Sequence, residues 1–124
     1  MTTSGLLLFA HGARDPRWAA PFEAVAERVR LSRPQVPVRL AFLELMAPDI
    51  ARAAGELVAA GCSRIEIVPL FLGAGGHVRK DLPALVATLA EHHHGVSFTL
   101  HDAVGEAPPV IDAMAAVAAA HLSA

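Results

Sequence analysis

The amino-acid sequence predicts an α/β fold: a three-layer, doubly wound domain on a four-stranded parallel sheet in the order 2-1-3-4. Three observations lead there. Four short β-type runs alternate with four helical patterns along the chain. The leading run is continuously apolar, which marks a strand buried on both faces. Crossovers between parallel strands are right-handed, so this alternation winds helices onto both sides of one sheet.

The first strand is predicted over residues 5–10, the second over 38–43, the third over 64–70 and the fourth over 96–100. The third is rich in branched residues. The fourth alternates and belongs nearer an edge. Pro69 cannot donate to a central ladder, so it belongs at the end of its strand or at a bulge. Asp15-Pro16 opens the first helix, with Asp as N-cap and Pro in the first turn. Its apolar face is Phe22, Val25, Ala26 and Val29, at i, i+3, i+4 and i+7. Pro48-Asp49 opens the second, which turns Ile50, Ala54, Leu57 and Val58 inward and ends at Gly61. Asp81 and Pro83 mark the start of the third, followed by Leu85, Val86 and Leu89. Pro108-Pro109 opens the fourth.

Composition narrows the functional classes. A length of 124 residues predicts one domain over residues 1–124. Hydrophobic residues make up 54% of the chain, more than an average soluble domain carries, so a partner subunit is expected to cover part of the surface. Ten Lys and Arg face twelve Asp and Glu, for a formal charge of −2. No basic surplus is present to bind nucleic acid. One cysteine, Cys62, excludes an internal disulfide and fits a reducing compartment. The first residues lack a basic signal-peptide region, and no run reaches the roughly 18–20 apolar residues of a membrane span. The expectation is a soluble, cytoplasmic protein with no membrane contact.

Ligands of open parallel sheets bind above the carboxyl ends of the strands, where the strand order reverses. Here that is between strands one and three. The loop after strand one is His11-Gly12-Ala13-Arg14-Asp15, and the loop after strand three is Phe71-Leu72-Gly73-Ala74-Gly75-Gly76-His77. Two histidines distant in sequence therefore face one crevice. Neutral imidazole binds Fe, Co, Ni and Zn, and takes protons near pH 7. A capping role for His11 and a plain surface position for His77 are the alternatives. Glu44 ends strand two, where a carboxylate can assist a metal or accept a proton; otherwise it is a solvated loop residue. Arg14, Arg17, Arg79 and Lys80 flank the two loops and can pair with carboxylates of an acidic ligand, or stand as solvated charges. Asp81 reads best as an N-cap. His92, His93 and His94 end the third helix, where charged imidazole suits the helix dipole. His101 can edge into the crevice, and His121 falls on the last helix. The glycine loop lacks the third glycine of a dinucleotide fingerprint and the Lys-Ser/Thr of a P-loop. No GxSxG, CxxC or HExxH motif is present.

Three motifs in order carry a family resemblance. An apolar strand running into His11-Gly12-x-Arg14-Asp15-Pro16 resembles the opening of the short CbiX/SirB class II chelatases. Phe42-Leu43-Glu44-Leu45-x-x-Pro48-x-Ile50 is similar to their second strand and helix start. Val68-Pro69-Leu70-Phe71-Leu72-x-x-Gly75-Gly76-His77-Val78-x-x-Asp81-Leu82-Pro83 is similar to their third strand and catalytic loop. The resemblance implies a chelatase-like, flavodoxin-like domain. It implies insertion of Co²⁺, Fe²⁺ or Ni²⁺ into a sirohydrochlorin-type tetrapyrrole without ATP, in cobalamin or sirohaem biosynthesis. The metal is then a substrate, and no cofactor is permanently bound. The family's two active-site histidines map onto His11 and His77, as metal ligands and catalytic groups, and its acidic residue onto Glu44. Arg14, Gly75 and Gly76 map onto the substrate cleft, and the short forms work as homodimers. Relatives often carry a further histidine before a proline ahead of the last helix, where this chain has Gly105-Glu106-Ala107-Pro108-Pro109. A non-enzymatic metal or tetrapyrrole carrier on the same fold is the rival reading; it binds stoichiometrically and does not turn over.

Overall fold

A computed structural model describes residues 3–73 and 75–123, with His77 described by its backbone alone. Four parallel strands form one sheet in the order β2-β1-β3-β4: β1 (Ser4–Ala10), β2 (Val38–Phe42), β3 (Arg64–Pro69) and β4 (Ser97–Leu100). The order is the expected one. Leu8 lies between Leu40 of β2 and Val68 of β3, so β1 is central, and it is buried along almost its whole length. Pro69 is the last residue of β3, where no further ladder bond is required of it. β4 is the short edge strand its alternation predicted.

Side-chain alternation divides the core between the two faces of the sheet. Leu7, Phe9, Ala41, Ile65 and Ile67 point one way and pack on α2 (Ile50–Ala59) and α3 (Gly76–His92). Leu8 and Val38 point the other way, onto Ala26 and Val29 of α1 (Ala20–Ser32). A 3-10 turn, Pro16–Ala19, precedes α1; Asp15 caps it, and its side chain accepts the Arg17 backbone N–H. Asp49 caps α2 by accepting from the Arg52 backbone N–H, and Gly61 leaves that helix at φ 95°. Cys62 is buried beside Gly5. Burial pushes its thiol pKa up, with Arg39 opposing in part.

Several expectations are corrected. The first α-helix starts at Ala20, not at Pro16, because residues 16–19 wind as a 3-10 turn. Val25 is exposed, because α1 covers the edge of the sheet with Phe22, Ala26 and Val29 and turns Val25 past it. α3 starts at Gly76, with extended Gly75 as its N-cap, so Asp81 lies within the helix and Pro83 is accommodated inside it. His77 is consequently a residue of the first helical turn, not of a loop. The fourth helix, α4 (Pro108–Ala119), opens at Pro108-Pro109 as expected. It buries no residue, and its principal packing partner is the 3-10 turn Val104–Glu106 just before it. His121 falls just past the end of α4. No described helix is long and apolar enough to cross a membrane.

The two faces give a direct contrast. Leu57→Ala, in the α2 core, is expected to cost about 2–5 kcal/mol, while Val25→Ala stays within about 0.5 kcal/mol. Urea unfolding of both variants checks this, and equal losses would mean that α1 packs elsewhere.

Candidate active site

The site is built where β1 and β3 end side by side. His11 follows β1 directly and is half-buried. Its ring stacks on Phe71, just past β3, with centroids 4.2 Å apart and planes 26° apart. Phe71 is buried and leans in turn on Phe9, at 6.0 Å. The imidazole is therefore seated on the core rather than on a mobile loop. The His11 backbone carbonyl accepts the indole N–H of Trp18 at 3.0 Å, which ties the loop to the 3-10 turn. A capping role for the His11 side chain finds no support: Asp15 supplies the cap.

Two backbone approaches hold the loops in place. A Cβ on Gly12 would collide with the carbonyl of Glu44, so the loops after β1 and β2 touch only because residue 12 has no side chain. Glu44 is thereby fixed beside His11-Gly12, with its side chain exposed. The Met46 N–H returns to the Glu44 carbonyl at 2.8 Å, closing a three-residue γ-turn with Leu45 at φ 64°. Such a turn is strained for an L-residue, and more so for an apolar one. In the same manner, a Cβ on Gly105 would collide with the Leu72 backbone, and the Gly105 N–H donates to the Phe71 carbonyl at 2.9 Å. The loop after β4 thus clamps the loop after β3.

Gly75 and Gly76 are exposed at the start of α3. His77 follows them in the first turn of α3; its side chain lies outside the described residues. Arg14, in the loop that follows β1, is exposed. Arg17 is not available in the way expected, because its guanidinium grips Asp15 at 2.7 Å and holds that carboxyl below its ordinary pKa. Arg79 pairs with Glu106 at 2.9 Å, linking α3 to the turn before α4. His101 pairs with Glu66 at 3.2 Å and lines a small cavity with Phe71, Arg79 and Glu106, separate from the one that His11 lines. Within the triple histidine, His92 Nδ1 lies 2.8 Å from the Thr88 carbonyl of its own helix. Among the described residues no three His, Cys, Asp or Glu side chains gather to hold a metal.

Phe71, Trp18, Gly105 and Glu106 were not singled out by sequence reasoning. The single tryptophan beside an Asp-Pro helix start was a usable signal. The contacts of Phe71 and Gly105 cross between distant loops and left none.

Against this geometry, comparison with known proteins assigns the family. The CbiX family profile matches residues 5–120, and the chain belongs to the CbiX family. It is 34% identical over 92 residues to the sirohydrochlorin cobaltochelatase of Methanothermobacter thermautotrophicus, covering 73% of this chain and 64% of the relative. It is 37% identical over 82 residues to the sirohydrochlorin cobaltochelatase of Saccharolobus solfataricus, covering 66% and 62%. The chain thus spans just under two thirds of the length of these relatives. Among solved structures, a protein from Marinobacter aquaeolei VT8 assigned to CbiX and cobalamin biosynthesis superposes with a TM-score of 0.82 at 34% identity, over 93% of both chains. The sirohydrochlorin chelatase SirB of Bacillus subtilis subspecies spizizenii, in complex with cobalt, shares the fold with a TM-score of 0.84 at 22% identity. That match covers 97% of this chain and 51% of SirB.

The loop contacts predict opposite effects for two small changes. Gly12→Ala is expected to destabilise by about 1–3 kcal/mol through overpacking. Leu45→Gly is expected to raise the unfolding midpoint, because relief of the left-handed backbone, about 1–2 kcal/mol, exceeds the entropic cost of glycine. Thermal unfolding measures both, and a lowered midpoint for Leu45→Gly would show the turn to be unstrained.

Proposed function

We propose that this chain is a sirohydrochlorin chelatase that inserts Co²⁺, Fe²⁺ or Ni²⁺ into the tetrapyrrole without ATP. The observation that carries the reading is the His11 imidazole seated on Phe71 at the β1–β3 reversal, with His77 in the first turn of the helix that follows β3, in a family with members named sirohydrochlorin cobaltochelatase. Insertion removes two pyrrole N–H protons and delivers a partly dehydrated cation. His11 and His77 act as ligands to the incoming metal and as proton acceptors. Imidazole nitrogen suits the three metals named. Glu44, held beside Gly12, takes up a released proton. Arg14 pairs with a peripheral carboxylate of the substrate, and Gly75 and Gly76 keep the entry to α3 open to it. Cys62, single and buried, has no part in the chemistry and fits a reducing cytoplasm.

The test is the absorption spectrum of sirohydrochlorin with Co²⁺, Fe²⁺ or Ni²⁺ under anaerobic conditions. Wild type is expected to form metal-complex bands over many turnovers. His11→Ala and His77→Ala are each expected to lose about 10²–10⁴-fold in rate. His77→Ala keeps the fold, because alanine is the best helix former and the position is in a first helical turn. Stoichiometric binding without turnover would turn the assignment to a carrier.

The working unit is a homodimer of single-domain chains. An apolar stripe on a helix calls for burial, yet Ile111, Met114 and Val117 of α4, three residues apart, are exposed in this chain. A second copy covers them by an isologous contact. Light scattering is expected to give the mass of two chains, and Met114→Glu with Val117→Glu the mass of one. A wild-type monomer at every concentration would exclude the arrangement.

A further inference from the structure

The large apolar side chains left exposed among the described residues are not scattered. One group lies on and just beyond α4, and two residues lie on α1. The remaining four, Trp18, Leu43, Leu45 and Leu72, all sit in the segments that follow β1, β2 and β3. In a parallel sheet those segments share one edge, the edge that carries His11. Leu45 and Leu72 are 61% and 70% exposed, and neither contributes to a core cluster. Leu45 is also held in a strained turn, so the fold presents an apolar chain to solvent there against its own stability.

Trp18 and Leu72 wall a cavity of about 490 Å³, together with Phe22, Leu70, Phe71 and His11 itself. That volume is within the range of roughly 300–1,000 Å³ typical of small-molecule sites. The indole is held at both ends. Its N–H is spent on the His11 carbonyl, and its ring tilts against Phe22 at 5.5 Å. An indole whose hydrogen bond is already made offers a ligand only its apolar surface. The candidate metal ligand and a preset apolar wall therefore belong to one cavity.

We infer that Trp18 and Leu72, with Leu45 on the β2 side, form the surface on which the flat face of the macrocycle rests next to His11, and so set affinity and orientation for the tetrapyrrole rather than for the metal. This rests on the chelatase reading and names its substrate-positioning residues. A broad apolar disc fits a broad apolar wall. A free divalent cation gains nothing from leucine or indole.

The inference separates binding of the two substrates. Leu72→Asp and Leu45→Asn are both at exposed positions, and Asn tolerates the left-handed backbone. Each is expected to weaken binding of metal-free sirohydrochlorin, followed by its visible band shift, by about tenfold or more, and to raise KM for the tetrapyrrole by a similar factor. Binding of Co²⁺ alone and the KM for Co²⁺ stay near wild type. Leu72→Met is expected to restore tetrapyrrole affinity, as a volume-conserving exchange. Leu31→Asp, an equally exposed position on α1, serves as the control and behaves as wild type. Unchanged tetrapyrrole affinity in Leu72→Asp and Leu45→Asn, with wild type turning over, overturns the inference alone. Wild type that binds Co²⁺ but no tetrapyrrole overturns it together with the chelatase reading.

Discussion

The parallel pairing of β1 with β3 is the constraint on which the site depends. It places β1 in the middle of the sheet, with Leu8 flanked on both sides. The chain that leaves β1 and the chain that leaves β3 then emerge side by side, although sixty residues separate them. The stack of His11 on Phe71 is the consequence. Phe71 is buried against Phe9, so the imidazole inherits the rigidity of the core. A ring held in this way loses little further freedom when it takes a ligand, which is the preorganisation that metal and proton chemistry needs.

Around that stack, backbone meets backbone without side chains between. Gly12 against Glu44 joins the loops after β1 and β2, and Gly105 against Leu72 joins the loops after β3 and β4. Each contact excludes even a methyl group, so the loops are set to within a fraction of an ångström by sterics, not by weak surface ion pairs. The Arg79–Glu106 pair then adds an electrostatic link between the start of α3 and the turn before α4. Because it is solvent-exposed, its energetic contribution is small. The geometry at the mouth of the sheet thus rests on shape first and charge second.

Apolar surface is left uncovered in two principal places, for different reasons. On α4 it is continuous along a helix that buries nothing, as expected of a surface completed by another chain. At the carboxyl edge of the sheet it is distributed over three loops around a histidine, as expected of a surface completed by a ligand. The first lies along one helix, the second around a cavity lined by aromatic rings. In the proposed dimer and the proposed substrate complex the driving force is the same, removal of apolar area from water.

The strand runs, their order, Asp15 as a capping residue, the opening of α2 at Pro48-Asp49, its end at Gly61 and the placing of His11 at the sheet reversal were legible in the sequence, because each depends on local periodicity or on a topological rule that local periodicity invokes. So were the family motifs, which sit at strand ends. What the sequence left open concerned competition between neighbours. The start of α3 moved from Asp81 back to Gly76, since glycine there takes the extended cap conformation and the helix accommodates Pro83. Val25 matched the helical period but fell outside the sheet it was meant to cover. Phe71 under His11, the clash-limited seats of Gly12 and Gly105, the strained turn at Leu45 and the separation of α4 from the sheet were decided by tertiary structure alone. Each is a contact, or a missing contact, between segments far apart in the chain, and residue periodicity carries no information about which distant backbone will arrive at a given side chain.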